Sequence, residues 1–326
     1  MEILSEEQIH RGTVELLDRS DSNDTEIWSR YLVIPNFLSE DEVHGMINRT
    51  KQLLEEFDLE GHPMTKFSTG EDDQDKTKKH VGDEYFLTSG DKIRYFLEED
   101  AVGPDGKLNR SKERAVNKIG HALHELDPVF RDVTLNNPRL KAIAKDLHFH
   151  SNPLVLQSMV ICKQPEIGGK VPEHNDSTFL YTSPPSALGF WFALEACTEL
   201  NGALSFLPGS HLNTDITKRF VRMPEGGTDF EPIVDIEKPL DLRDSPGESA
   251  LSIASDYKLE TCEAGSLVLI HGSVLHKSER NTSNLTRYAY TFHMIEGQPL
   301  ATYDKKNWLQ PTDEMPFTPL FGTVNA

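Results

Sequence analysis

Gly202-Ala-Leu-Ser-Phe-Leu-Pro-Gly-Ser-His211 reads as a strand that stops in a tight turn, a short apolar run broken by Pro-Gly. The pattern repeats on both sides of it. Short apolar segments at 155–163, 187–195, 203–207, 266–270 and 288–294 are separated by Gly, Pro and Asn. Several short strands with turn signals between them predict an all-β sandwich or barrel rather than a parallel sheet. The first 150 residues predict a different texture, mainly helical flanking and support elements. A short amphipathic helix is expected over 5–18, and Tyr31-Leu-Val-Ile-Pro-Asn-Phe-Leu38 reads as a strand entering a turn. Ser39 followed by Glu42 has the spacing of a capping box, which opens a helix running to about Phe57. Residues 66–83 are polar and charge-dense and read as a surface loop. Tyr85-Phe-Leu-Thr-Ser89 is read as a strand, 94–99 as a strand or helix, and 114–126 as a helix stopped by Asp127-Pro128. A further helix is expected over 137–147, with Pro138 in its first turn. The acidic, Pro/Gly-bearing stretch 214–256 is read as an insertion. The chain is therefore expected to be one domain, 1–326, with its β core over 151–300 and a tail over 301–326.

Bulk composition narrows the partners. The chain of 326 residues is 37% hydrophobic and 26% charged, enough to build a globular core. Its net charge of −20 repels phosphate backbones and anionic lipid heads, so nucleic acid and membrane surfaces are not expected partners. There is no apolar run of membrane-spanning length. The first residues lack the features of a secretory signal, and the last four, Thr-Val-Asn-Ala, are not Ser-Lys-Leu. The three cysteines, Cys162, Cys197 and Cys262, are widely spaced and read as reduced thiols. A cytoplasmic location is the expectation.

The chemistry is concentrated in Val171-Pro-Glu-His-Asn-Asp-Ser-Thr-Phe179. His174 and Asp176, one residue apart on an extended backbone, present an imidazole and a carboxylate to the same side. With a second imidazole they would complete a 2-His-1-carboxylate set, which holds Fe(II) on one face and leaves the other open. The second imidazole is sought among His211, His271, His276 and His293. His276 is favoured because Arg287 follows eleven positions later, at the start of the next strand. A hairpin would then set the two side by side, and Arg287 would grip a carboxylate bidentately while the ligand's other end sits on the metal. At the same distance from His271 stands Thr282. His211 follows a Pro-Gly-Ser turn and is expected to pack locally. His293 shares the parity of Arg287 and is expected to line the same cavity. Glu173 and Asn175 are read as solvent-side groups or as groups supporting the ligands from outside.

Longer motifs carry a resemblance. Ser89-Gly-Asp-Lys-Ile-Arg94, Asn117-Lys-Ile-Gly-His-Ala-Leu-His124, Gln157-Ser-Met159, Asn201-Gly-Ala-Leu-Ser-Phe-Leu-Pro-Gly-Ser-His211, Leu269-Ile-His-Gly272, His276-Lys-Ser278, Ala289-Tyr-Thr-Phe-His293 and Asn307-Trp-Leu-Gln-Pro311 run through nearly the whole chain. In these stretches it resembles the phytanoyl-CoA dioxygenase family of Fe(II)- and 2-oxoglutarate-dependent oxygenases. The resemblance implies a double-stranded β-helix, the jelly-roll core shared with cupins. It implies iron on His174, Asp176 and His276, with Arg287 anchoring the distal carboxylate of 2-oxoglutarate. Lys118, Met159, Trp191 and Ser278 match other positions that contact this co-substrate. The implied reaction consumes O2, turns 2-oxoglutarate into succinate and CO2, and hydroxylates a small-molecule or acyl-type substrate, with ascorbate as the reductant in vitro. Retention of the carboxylate at position 176 implies hydroxylation rather than halogenation.

Two other readings compete. A catalytically silent binding or scaffold protein would keep the fold, but the full ligand set and Arg287 argue against it. A cupin-type metalloenzyme with no oxo-acid co-substrate leaves Arg287 without a role.

Overall fold

A computed structural model describes residues 30–66, 83–242 and 256–322. The readings over 5–18 and over most of 66–83, and part of the 214–256 stretch, lie outside the described residues. The larger sheet is built from β1 (Tyr31–Ile34), β2 (Ile93–Leu97), β3 (Val116–His121), β4 (Pro153–Lys163), β7 (Leu188–Ala193), β12 (Leu267–His271) and β14 (Arg287–Glu296). The smaller one uses β5 (Val171–His174), β8 (Leu204–Phe206), β11 (Lys258–Glu260) and β13 (His276–Ser278). Their orders are β1-β12-β7-β14-β4-β3-β2 and β11-β8-β13-β5, with antiparallel pairing throughout both paths. Two sheets facing one another in this order form the expected double-stranded β-helix, and all five apolar segments of the C-terminal half are strands in it. Outside it, β9 (Lys218–Arg222) and β10 (Thr228–Pro232) pair as a hairpin, and β6 (Thr182–Ser183) pairs β15 (Thr302–Tyr303). A short strand β16 (Thr318–Pro319) joins β4. The stretch read as an insertion thus begins with an ordered hairpin.

The helices follow their local signals. Ser39 caps α1 (Glu40–Glu56) with the full capping box: its hydroxyl accepts from Glu42 N at 3.2 Å, and Glu42 Oε2 accepts from Ser39 N at 2.7 Å. Asp83 caps α2 (Glu84–Leu87), accepting from Phe86 N at 2.8 Å. The strand expected at 85–89 is therefore one helical turn. Residues 114–126 hold β3 and then a single helical turn, α3 (Leu123–Leu126), which corrects the helix expected over the whole stretch. Val116, Ile119 and Leu123 imitate a helical repeat. In fact β3 is covered on both faces, so its side chains do not alternate apolar with polar. Asp127 does end α3, but it also caps α4 (Pro128–Arg131), and Arg49 of α1 reaches the same carboxylate at 2.6 Å. The helix expected over 137–147 is α5 (Pro138–Asp146), with Pro138 in its first turn as the sequence predicts and Asn137 as its cap.

The first 150 residues thus supply the longest helices and three strands of the larger sheet. A core of interleaved aromatics, including Phe190 stacked on Phe292 with ring centroids 4.7 Å apart, lies between that sheet and the helices. Among the described residues, no helix is long and apolar enough to cross a membrane.

Candidate metal centre

The chemistry-bearing groups collect in one cavity of about 340 Å³ between the two sheets. In the smaller sheet His276 lies directly opposite His174. The chain then continues through Asn175, still extended, into α6 (Asp176–Phe179). Asn175 accepts from Thr178 N at 3.0 Å and caps that turn, which fixes where Asp176 points. Asp176 Oδ1 lies 3.8 Å from His174 Nε2 and 3.7 Å from His276 Nε2, and the three ligand atoms sit within 4.8 Å of one another.

The imidazoles are held in a form suited to a metal. His174 Nδ1 is 2.8 Å from Pro172 O, and His276 Nδ1 is 3.1 Å from Val274 O. A carbonyl accepts only from a protonated nitrogen, so in the neutral ring each proton sits on Nδ1 and Nε2 carries the lone pair. Two neutral nitrogens and one carboxylate oxygen, with their positions set by backbone carbonyls and a helix cap, fit a divalent first-row metal. Asp176 is buried and turns Oδ1 toward both of these nitrogens, so a carboxylate oxygen and two ring lone pairs face one position that a cation could take. Burial works against its ionisation, and His293 beside its Oδ2 works for it, holding the carboxyl below its usual range.

Of the other imidazoles, His293 approaches Asp176 Oδ2 at 3.3 Å and lines the cavity, as its parity predicts. His271 is engaged elsewhere: Nδ1 accepts from Ser273 N at 3.0 Å, and Nε2 faces Asp241 Oδ1 at 3.2 Å. His211 packs beside the His271 ring at 5.3 Å between centroids, away from the triad. Glu173 points outward to the Tyr257 hydroxyl.

The route by which Arg287 reaches the cavity differs from the expectation. His276 and Arg287 are not neighbours on a hairpin. β13 belongs to the smaller sheet and β14 to the larger, and Arg287 stands opposite Lys163 of β4. Space across the sandwich, not a shared turn, brings them to one chamber. Arg287 is 1% exposed, and its Nε and Nη1 have no hydrogen-bond partner among the described residues. Its guanidinium carbon lies 5.3 Å from the centre of the Trp191 ring. A buried cation with bare donors facing a cavity is a site for an anion.

Lys118, Met159, Trp191 and Ser278 line the same chamber. The Ser278 hydroxyl donates to Gly202 O at 2.8 Å. Burial lowers the Lys118 ammonium to about 7, against the pull of Glu98. Strand register arranges the floor in rows: Arg287 with Lys163, then Ala289 with Ile161 and Lys118, then Thr291 with Met159 and Trp191, then His293 with Gln157 and Gly189. Asp176 meets the last row, where a Cβ on Gly189 would lie 3.3 Å from its Oδ2. Arg287 and Asp176 thus stand toward opposite ends of one floor.

Sequence reasoning passed over Gln157, Lys163 and Thr291, which share the inward parity of Met159 and Arg287 and were legible from it. Glu98 and Asn117 also line the cavity, joined by an Nδ2–Oε2 bond of 2.8 Å, and no local pattern marks them. Phe86, Phe179, Phe220 and Trp308 form an aromatic wall, Phe220 arriving on the β9–β10 hairpin.

Comparison with known proteins agrees with this architecture. The family described as Phytanoyl-CoA dioxygenase (PhyH) matches residues 30–289. A zebrafish (Danio rerio) protein named phytanoyl-CoA dioxygenase domain-containing protein 1 is 42% identical over 292 residues, covering 89% of this chain and 94% of its own. An Arabidopsis thaliana protein named phytanoyl-CoA dioxygenase is 41% identical over 280 residues, covering 86% and 89%. Among solved structures, the α-ketoglutarate-dependent carbocyclase SnoK of nogalamycin biosynthesis superposes with a TM-score of 0.56 at 19% identity, over 94% of this chain and 90% of its own. The epimerase SnoN, in complex with Fe3+, α-ketoglutarate and nogalamycin RO, gives 0.52 at 16% identity, over 94% and 98%. At those identities the likeness speaks for the fold.

Proposed function

The chain belongs to the phytanoyl-CoA dioxygenase family, and on that premise we propose that it is an Fe(II)- and 2-oxoglutarate-dependent dioxygenase that hydroxylates a small or acyl-type substrate. The observation that carries this reading is the chamber itself. A two-imidazole, one-carboxylate cluster, with Asp176 and His276 buried and His174 half-buried, sits toward one end and an arginine with bare donors at the other. His174, Asp176 and His276 would hold the iron. With O2 it would supply the oxidation that turns 2-oxoglutarate into succinate and CO2 and puts one oxygen atom into a substrate C–H bond.

Everything else the protein does is positioning. Arg287 receives the distal carboxylate of 2-oxoglutarate in its guanidinium fork, and Ser278 and Lys118 add polar contacts from neighbouring walls. Trp191 and Met159 flank the co-substrate and keep water away. No side-chain acid–base pair is required, because no step needs a proton moved by a residue. The substrate enters beyond the metal, where Phe86, Phe179, Phe220 and Trp308 offer an apolar wall and Gln157 Oε1, unpartnered among the described residues, offers an acceptor. That lining supports a largely apolar substrate. Family membership does not by itself make phytanoyl-CoA the substrate, since one fold serves many.

The test is succinate release from 2-oxoglutarate with Fe(II), ascorbate and O2. Wild-type protein should turn over at least slowly without substrate, and Asp176→Ala should not. An iron-loaded, folded wild-type protein that releases no succinate overturns the reading.

A further inference from the structure

We propose that Cys197 and Cys262 form a reversible intramolecular disulfide, a redox modification site behind the Trp191 wall of the cavity. Although distant in sequence, the two lie directly opposite one another on an antiparallel bridge. The bridge is reciprocal: Cys197 N donates to Cys262 O at 2.8 Å, and Cys262 N donates to Cys197 O at 3.2 Å. A hydrogen-bonded antiparallel pair sets its Cα atoms about 5.5 Å apart with both side chains on one face. That spacing falls within the range a disulfide spans. Both thiols are reduced, and their access differs usefully: Cys197 is buried while Cys262 is partly exposed, so a small oxidant reaches the pair from one side.

The third cysteine is excluded by position. Cys162 is buried among the side chains between the larger sheet and the helices, whereas Cys197 and Cys262 pack with Trp191, Leu204 and Phe206 in the other cluster. The contact between the two sulfurs splits their roles: despite burial, the neighbouring Cys262 thiol and then Arg287 favour the Cys197 thiolate, the nucleophilic form, while Cys197 and burial push the Cys262 thiol up.

With hydrogen peroxide as oxidant, one thiolate of the pair attacks a peroxide oxygen, the O–O bond breaks, and the departing hydroxide takes up the proton the thiol had given up, leaving a sulfenic acid and a first water. The second sulfur attacks that sulfenic sulfur, the S–S bond forms and a second water leaves. Two thiols are oxidised and one hydrogen peroxide is reduced to two waters. An external dithiol reverses the change by two exchange steps.

The experiment counts thiols in the full-length protein after treatment with hydrogen peroxide, by alkylation under denaturing conditions and intact-mass spectrometry. Wild-type protein should fall from three alkylatable thiols to one, lose two hydrogens in mass, stay monomeric on non-reducing gels and recover all three thiols with dithiothreitol. Cys162→Ser should lose both of its thiols to the bridge. Cys197→Ser and Cys262→Ser should each fail to form an intramolecular bridge. Three alkylatable thiols in treated wild-type protein, a disulfide that includes Cys162, a covalent dimer, or oxidation that stops at a peroxide-modified Cys262 would each overturn the proposal. The thiol count does not depend on metal or co-substrate, so it is independent of the proposed enzymatic activity.

Discussion

Arg287→Met separates anion binding from folding. In the wild-type protein the guanidinium is buried, and burial already depresses its proton affinity below the ordinary value. Replacing it by methionine removes a poorly partnered buried cation while keeping most of the apolar stem, so the unliganded variant should be at least as stable as wild type. The cost falls on the liganded state. Two charge-assisted hydrogen bonds to a carboxylate contribute about 1.5–3 kcal/mol each, so their loss weakens 2-oxoglutarate binding by at least about a hundredfold. Thermal unfolding with Mn(II) and 2-oxoglutarate reads this directly. At a ligand concentration about 100 times the wild-type Kd, binding stabilises the protein by about 2.7 kcal/mol. After a hundredfold loss only about 0.4 kcal/mol remains. At about 2 °C per kcal/mol, a shift of roughly 5 °C should shrink below 1 °C. Mn(II) alone should stabilise both proteins equally, since Arg287 is not in the metal cluster. An undiminished 2-oxoglutarate response in the variant would refute the assignment of Arg287 as the anchor.

Lys118→Met tests a pH effect whose sign is fixed by burial. The folded-state value near 7 lies below the unfolded value of about 10.4, so between the two the unfolded chain binds more protons and wild-type stability rises with pH. The variant should therefore exceed wild type most at about pH 6, with the advantage fading toward pH 10 in urea titrations. Gly189→Val places methyl groups where a Cβ alone would meet Asp176 Oδ2 at 3.3 Å and His293 Nε2 at 3.4 Å. Mn(II) affinity should fall about tenfold or more with the circular dichroism spectrum retained. An unchanged Mn(II) titration would mean that Asp176 tolerates displacement. Ser39→Ala removes the hydroxyl that caps α1 and should cost about 1 kcal/mol in chemical denaturation, leaving the Mn(II) and 2-oxoglutarate responses unchanged.

The residues themselves determined whatever depends on near neighbours. Short apolar runs and Pro-Gly punctuation marked the strands of the C-terminal half. Ser39 and Glu42 marked a helix start, and His174 with Asp176 marked a paired ligand set, because each signal is completed within a few bonds of backbone. Tertiary structure decided the rest. β3 escaped recognition because a strand buried on both faces loses its polar alternation, and its apolar spacing then imitates a helix. Arg287 shares one cavity with His174, Asp176 and His276 because two sheets face each other across about 10 Å, a distance that no hairpin rule encodes. Cys197 and Cys262 are opposed for the same reason: strand register between distant segments is set by which faces must be buried together, and that depends on the whole core at once.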